Sequence, residues 1–375
     1  MRILYVSHSH PDEGEILDNV GGMQRVSQQL IRELERKDSV QVFKETVNAS
    51  GKGKIVAKTA SFLFKELMEL PHQVREHQAD IVLFSSMVTA SLAYLVRSRI
   101  NIPMVTINHG RDVTLPVGIY QWLVPRVFDK LDGVISVSRA TREECIKRGM
   151  PPEKGVALPN GFDLNRLGHF PDKKESRDRL KRNFNIPLDQ KLMLLTVGRK
   201  VKRKGHEWFI REVMPKLGDQ VVYVTVGDGP QYDNISEASE DMGCSDRIFL
   251  LGRQPDEVLK QAYAAADLFV MPNIPVEGDM EGFGIVLLEA NMAQTPAVAA
   301  DLEGIKDVIA QGKNGYRVPA QNADEFAARV RTILSNGELQ KLSQTTREYV
   351  QTQFSWNHVA DQYVHYLQQV ADQYG

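Results

Sequence analysis

Four carboxylates crowd the stretch EGDMEGFGIVLLEA at residues 277–290, and two of them, Glu281 and Glu289, stand with seven residues between them across a Gly-Phe-Gly turn. Acids in such a window can ligate a metal, cap a helix or accept hydrogen bonds from the hydroxyls of a sugar. The apolar run after the turn predicts a helix starting near Phe283 or Gly284. That start would open the amides of Gly282, Phe283, Gly284 and Ile285 to a ligand. Glu289 would lie about two turns further along, where its carboxylate can grip vicinal hydroxyls. No His or Cys stands nearby and the calcium-loop pattern is missing, so the metal reading is the weaker one. Helix capping is the purely structural use of Glu281.

A second group of chemically competent residues follows the apolar run LMLLTV: the turn GRKVKRKGH carries Arg199, Lys200, Lys202, Arg203 and Lys204. Like charges repel, so the cluster is costly unless it is solvated or faces an anion. Two cations at a strand end, next to a helix N-terminus, suit a diphosphate. Arg199 and Lys204 bracket the turn and are the chosen pair. In NVGGMQR, Gly22 belongs to a glycine pair that opens a helix and could let an anion approach backbone amides, although neither the dinucleotide fingerprint nor a P-loop is present. His109 closes the apolar run of PMVTINHG, a strand-end position where catalytic groups gather, although a lone His is more often structural. Asn160 in LPNGFD reads first as turn chemistry.

These residues need elements to hold them. Short Ile/Val/Leu-rich runs alternate with helical patterns along most of the 375 residues, as in parallel sheets built from βαβ units. RILYVSH, VQVFKE, DIVLFSS, PMVTINHG, GVISVS and GVALPNG form one set. LMLLTVGR, VVYVTVGDG, RIFLLG, LFVMPN and TPAVAA form a second. The chain is too long for one ordinary core. Between the sets, charge and proline take over in 166–191, so the expected division is a first Rossmann-like domain over 1–168, a second over 169–355 and a terminal amphipathic helix over 356–375. Two doubly wound sheets facing across a cleft would put strand ends, and hence the site, on its borders.

Composition excludes several classes. With 42% hydrophobic and 25% charged residues the chain is an ordinary folded protein, and a net charge of −2 gives no global footprint for nucleic acid. Cys145 and Cys244 are far apart, which fits a reducing cytoplasm and no disulfide framework. No apolar run is long enough to span a bilayer. The segment 48–67 mixes lysines with Ile, Val, Phe and Leu, as a membrane-surface helix would, or as a basic helix covering the first sheet would.

Taken in order, GGMQR, INHG, LPNGFD, VGRKVKRKG, VGDGP, FLLGR, the Glu281 and Glu289 pair and the closing FSW resemble the retaining glycosyltransferases of family 4 over nearly the whole chain. The resemblance implies the GT-B fold and transfer of a hexosyl group from a nucleotide-diphosphate sugar with retention, without metal or cofactor. The acceptor would be a lipid, a lipid-linked glycan or a saccharide.

By the same resemblance, Gly22 would offer its amide to the donor diphosphate across the cleft, and Arg199 and Lys204 would hold that diphosphate. Glu289 would bind the ribose, and Arg253 would lie near the base. Glu281 with the amides of Gly282 to Ile285 would hold the sugar and its phosphate, and His109 would contact the sugar near its reacting carbon. Arg25 and Asn160 fall to the acceptor side or cleft. The acidic interval 274–280 is similar to that in mannosyltransferases of the phosphatidylinositol mannoside type and points to GDP-mannose, with a UDP-sugar as the other donor. Work at the cytoplasmic face of a membrane follows as an expectation. A sugar-nucleotide epimerase of the same fold and a nucleic-acid binder using the basic turn are the rival readings.

Overall fold

The computed structural model describes residues 1–10, 22–47 and 55–374. Among them the β-branched and aliphatic runs form two six-stranded sheets whose recorded pairings are all parallel. The first holds β1 (Arg2–Ser7), β2 (Gln41–Thr46), β3 (Ile81–Phe84), β4 (Met104–Asn108), β5 (Gly133–Ser136) and β6 (Gly155–Ala157), in the order β2-β1-β3-β4-β5-β6. The second holds β7 (Leu192–Val197), β8 (Val221–Val226), β9 (Ile248–Leu250), β10 (Leu268–Met271), β11 (Ala297–Ala300) and β12 (Gly315–Val318), in the order β12-β11-β10-β7-β8-β9. Central strands such as β3, β8 and β10 are buried at every position, as strands covered by helices on both faces must be.

The chain divides into two compact units, Met1–Asp163 with Phe354–Gly375, and Leu164–Gln353. The crossings fall at 163/164 and 353/354, a few residues before the 168 indicated by charge and proline and the 355 indicated by the amphipathic spacing of the tail. In the first unit, helix Gly22–Glu35 joins β1 to β2 and, by the right-handed rule for parallel crossovers, covers one face of the sheet. Helices Ile55–Glu76, Met87–Val96 and Gly118–Lys130 pack side by side on the other. The amphipathic helix Trp356–Tyr374 lies against Gly22–Glu35, where Lys37 pairs with Asp361 at 2.5 Å.

Two sequence signals meet in that unit. Asn160-Gly161 read as a turn, but Gly161 is required for another reason: a Cβ there would collide with the indole of Trp356. The indole N–H donates to Gln29 Oε1 at 2.6 Å, and Phe162 bridges to Ser355. NGFD and FSW are therefore two halves of one packing contact.

In each sheet, strand order reverses at one place. In the first it lies between β1 and β3, and in the second between β7 and β10. Loops at the carboxyl ends of strands diverge at such points and leave a crevice for ligands.

Candidate active site

The reversal in the second sheet brings the basic turn after β7 beside the acidic loop after β10. Glu281, only 8% exposed, receives Lys204 Nζ at 2.5 Å and Asn273 Nδ2 at 3.2 Å, and Arg203 Nη1 pairs with the same oxygen. Arg203 also reaches Asp279 through Nε at 3.3 Å, so the acidic lead-in helps fix the cation. Burial alone would raise the Glu281 carboxyl, but Lys204 and Arg203 overcome it and hold the group down at about 2. The Lys204 ammonium is lowered by burial and by Arg203, with Glu281 opposing.

Arg199 and Lys204, chosen as a pair from sequence, stand in different surroundings. Lys204 is buried on Glu281, whereas Arg199 is exposed. The fully buried cation of the turn is Lys200, whose Nζ donates to the Gly227 carbonyl and stands 5.4 Å from the Tyr232 ring centre. Burial pushes Lys200 down to about 8, with Asp228 opposing. It ties the GDG loop after β8 to the basic turn. Arg253, after Gly252, is exposed.

Helix Ile285–Met292 begins one residue beyond the glycine turn. Among the described residues, the amides of Gly282, Gly284 and Ile285 have no recorded acceptor, so they are available to an anion. Phe283 is buried. Glu289 is the fifth residue of the helix, little more than one turn from its start where two turns were expected. It is 5% exposed; Tyr263 OH donates to one oxygen at 2.6 Å and Arg166 Nε stands 3.2 Å from the other. Arg166 is itself anchored to Asp256 at 2.9 Å.

In the first unit, Gly22 opens helix Gly22–Glu35 and Arg25 is half-buried on its first turns. His109 follows β4, with Nε2 3.0 Å from the Ser85 carbonyl, while its amide donates to Asp112 Oδ1 at 2.8 Å. The other Asp112 oxygen takes the Met87 amide, so this acid ties the β3 and β4 ends together. His8, after β1, stands 3.5 Å from Ser86 Oγ; burial lowers its pKa, with Asp112 opposing and His109 adding to the shift. Asn160 is 5% exposed.

Arg203, Lys200, Asn273, Tyr263 and Arg166 were not selected from sequence. Arg203 and Lys200 lay in the basic cluster and Asn273 in MPN, but no periodicity singles them out. Among the described residues, no three His, Cys, Asp or Glu side chains are grouped closely enough to hold a metal.

Comparison with known proteins fits this geometry. A model of the group 1 glycosyl transferases matches residues 176–351, and a model of glycosyltransferase family 4 matches residues 20–166. An uncharacterized glycosyltransferase of Methanocaldococcus jannaschii is 31% identical over 240 residues, which is 62% of this chain and 58% of that protein. The chain thus spans less than two thirds of that relative. The GDP-mannose-dependent alpha-(1-6)-phosphatidylinositol monomannoside mannosyltransferase of Mycobacterium tuberculosis is 28% identical over 307 residues, 78% of this chain and 77% of that one. Among solved structures, Anabaena HepE in complex with UDP has a TM-score of 0.73 at 18% identity over 98% of this chain and 100% of that one. The catalytic domain of starch synthase IV from Arabidopsis thaliana reaches 0.76 at 14% identity over 99% of each. At such identities the likeness is one of fold. With one family model on each half and that fold in both sheets, the chain belongs to the family 4 glycosyltransferases and has the GT-B architecture of two Rossmann-like domains.

Proposed function

We propose that the protein transfers a hexosyl group from a nucleotide-diphosphate sugar, with retention and without metal, to a lipid, lipid-linked or saccharide acceptor. The observation that carries this reading is the buried Glu281 carboxylate, kept ionised by Lys204 and Arg203 beside a row of open amides at a helix start. A fixed acceptor of hydroxyl hydrogens next to fixed donors for phosphate oxygens is what a sugar phosphate requires.

In this reading Glu281 and the amides of Gly282 to Ile285 hold the sugar and its phosphate, and Glu289, pre-oriented by Tyr263 and Arg166, takes the ribose hydroxyls. Arg199 is exposed and can turn to the diphosphate. Lys204 adds its field from its place on Glu281, and the Gly22 amide is a further diphosphate donor. Arg253 serves the base. Cleavage of the sugar–phosphate bond builds positive charge on the sugar and negative charge on the leaving diphosphate, so cations and amides aimed at the latter lower the barrier. His109 contacts the sugar near the reacting carbon, and Arg25 and Asn160 serve the acceptor.

The mycobacterial mannosyltransferase relatives favour GDP-mannose, with a UDP-sugar as the other donor. A thermal-shift series with GDP, UDP, ADP and their sugars tests the reading. A ligand at a hundred times its dissociation constant stabilises the fold by about 2.7 kcal/mol. If no nucleotide or nucleotide sugar shifts the transition, the reading fails.

Peripheral contact with an anionic membrane through the 48–67 region is part of the same proposal. Residues 48–54 lie outside the described residues. On helix Ile55–Glu76, Phe64 and Met68 are 70% and 64% exposed, and no helix among the described residues is long and apolar enough to cross a membrane. Apolar side chains standing out on one helix suit a lipid interface. Flotation with anionic liposomes at low salt should carry the protein upward, and absence of flotation would remove this part.

A further inference from the structure

Glu303 lies in the turn after β11, outside every motif above. Its φ is +47°, in the left-handed region that residues with a side chain seldom occupy unless their surroundings impose it. Its carboxylate accepts the N–H of Glu281, and the neighbouring Gly304 N–H donates to the Glu281 carbonyl at 3.0 Å. The two bonds clasp Glu281 by both of its backbone polar groups. Gly304 is pressed so closely on this loop that a Cβ there would collide with the Gly282 carbonyl oxygen. The strained turn is therefore a backstop for the segment whose next amides are open.

The setting is electrostatically expensive. Burial raises the Glu303 carboxyl to about 7, with Glu281 and Asp279 adding to the rise while the Glu281 amide and Arg203 oppose it. On its own turn the nearest charges in sequence are Asp301 and Lys306, which pair at 3.9 Å. An acid held in strained backbone beside two other acids persists where its hydrogen bond is needed.

We propose that Glu303 is a positioning residue for the donor sugar: by fixing the Glu281 peptide it aligns the amides of Gly282, Gly284 and Ile285 that receive the sugar and its phosphate. This rests on the donor-site reading above. The bare nucleoside diphosphate places a phosphate but no sugar on these amides, so its affinity depends on Glu303 less than that of the nucleotide sugar does. The carboxylate form is the stronger acceptor, so sugar-dependent affinity rises with pH through the range in which Glu303 titrates.

Calorimetric titration of wild type, Glu303→Gly, Glu303→Ala and Glu303→Gln with GDP, GDP-mannose, UDP and UDP-glucose tests the proposal. Glu303→Gly relieves the backbone strain, so loss of fold does not confound it. For whichever pair wild type binds, the Gly and Ala variants should lose roughly tenfold in affinity for the nucleotide sugar, as loss of a charge-assisted hydrogen bond predicts, and about threefold or less for the bare diphosphate. Glu303→Gln retains an acceptor and should recover most of the loss, with an affinity flat from pH 6 to 8 where wild type rises. Equal loss for diphosphate and nucleotide sugar, or no loss for either, would overturn the proposal and leave the donor site standing. A wild type that binds none of the four overturns both.

Discussion

Glu66 and Glu281 are both buried glutamates, one in each unit, and they titrate in opposite directions. Glu66, fully buried on helix Ile55–Glu76, is pushed up to about 7 by burial and by Glu45. Its nearest cation, Lys65, stands 3.5 Å away and is shared with Glu45 and Glu69. Glu281 is held at about 2 despite its burial. Burial penalises both charges; only Glu281 has two cations and an amide converging on one oxygen. A buried acid by itself marks no site, whereas a buried acid kept ionised by groups from separate loops does.

The contrast can be broken most directly at Glu281. Glu281→Ala leaves Lys204 buried beside Arg203 with its partner gone, and should destabilise the second unit by about 3 kcal/mol, read from urea unfolding. Turnover should fall by roughly a hundredfold or more with donor affinity less affected, because the lost contact is realised chiefly as charge develops. Wild-type turnover with every active donor would refute the assignment. A smaller effect is expected at Glu289, proposed to take the ribose: Glu289→Ala should raise the donor KM roughly tenfold with kcat nearly unchanged, and Arg166→Ala roughly threefold, since it removes only an orienting ion pair. If Arg166→Ala leaves KM unchanged, Tyr263 alone orients Glu289.

The smallest and most diagnostic effect is at Glu66. A carboxyl raised in the fold stabilises below its ordinary value of 4.5, and that stability is lost as pH rises through about 7. Glu66→Gln should therefore unfold like wild type at pH 4.5 and gain on the order of 1 to 2 kcal/mol over it at pH 8. For Glu281 the sign reverses. Its contribution is present above 4.5 and is lost as pH falls toward 2. A Glu66→Gln gain that does not depend on pH would show packing, and not charge, to be its cause.

Most of the strand pattern was legible because burial on both faces writes itself as continuous Ile/Val/Leu runs. β12 was not: it is a four-residue edge strand, GYRV, whose middle residues are only partly buried. Glu281, Glu289 and the basic turn stood out by type and spacing. Their partnerships did not, because Lys204 and Arg203 meet Glu281 across 77 and 78 residues of sequence, a pairing no local period encodes. Glu303 was silent for the same reason, and its left-handed backbone leaves no trace in residue type.

The contact of Gly161 with Trp356 bears on the order in which the protein assembles on the ribosome. The second unit is one uninterrupted stretch of 190 residues, from Leu164 to Gln353, and can close as soon as it has emerged. The first unit, though begun earlier, must wait for the stretch from Phe354 onward to supply the helix that covers Gly22–Glu35. At ordinary translation rates the wait is roughly 10 to 40 s. Through that interval the apolar side of Gly22–Glu35 lacks its cover, so the nascent first half is the stage most open to chaperone capture or mispairing.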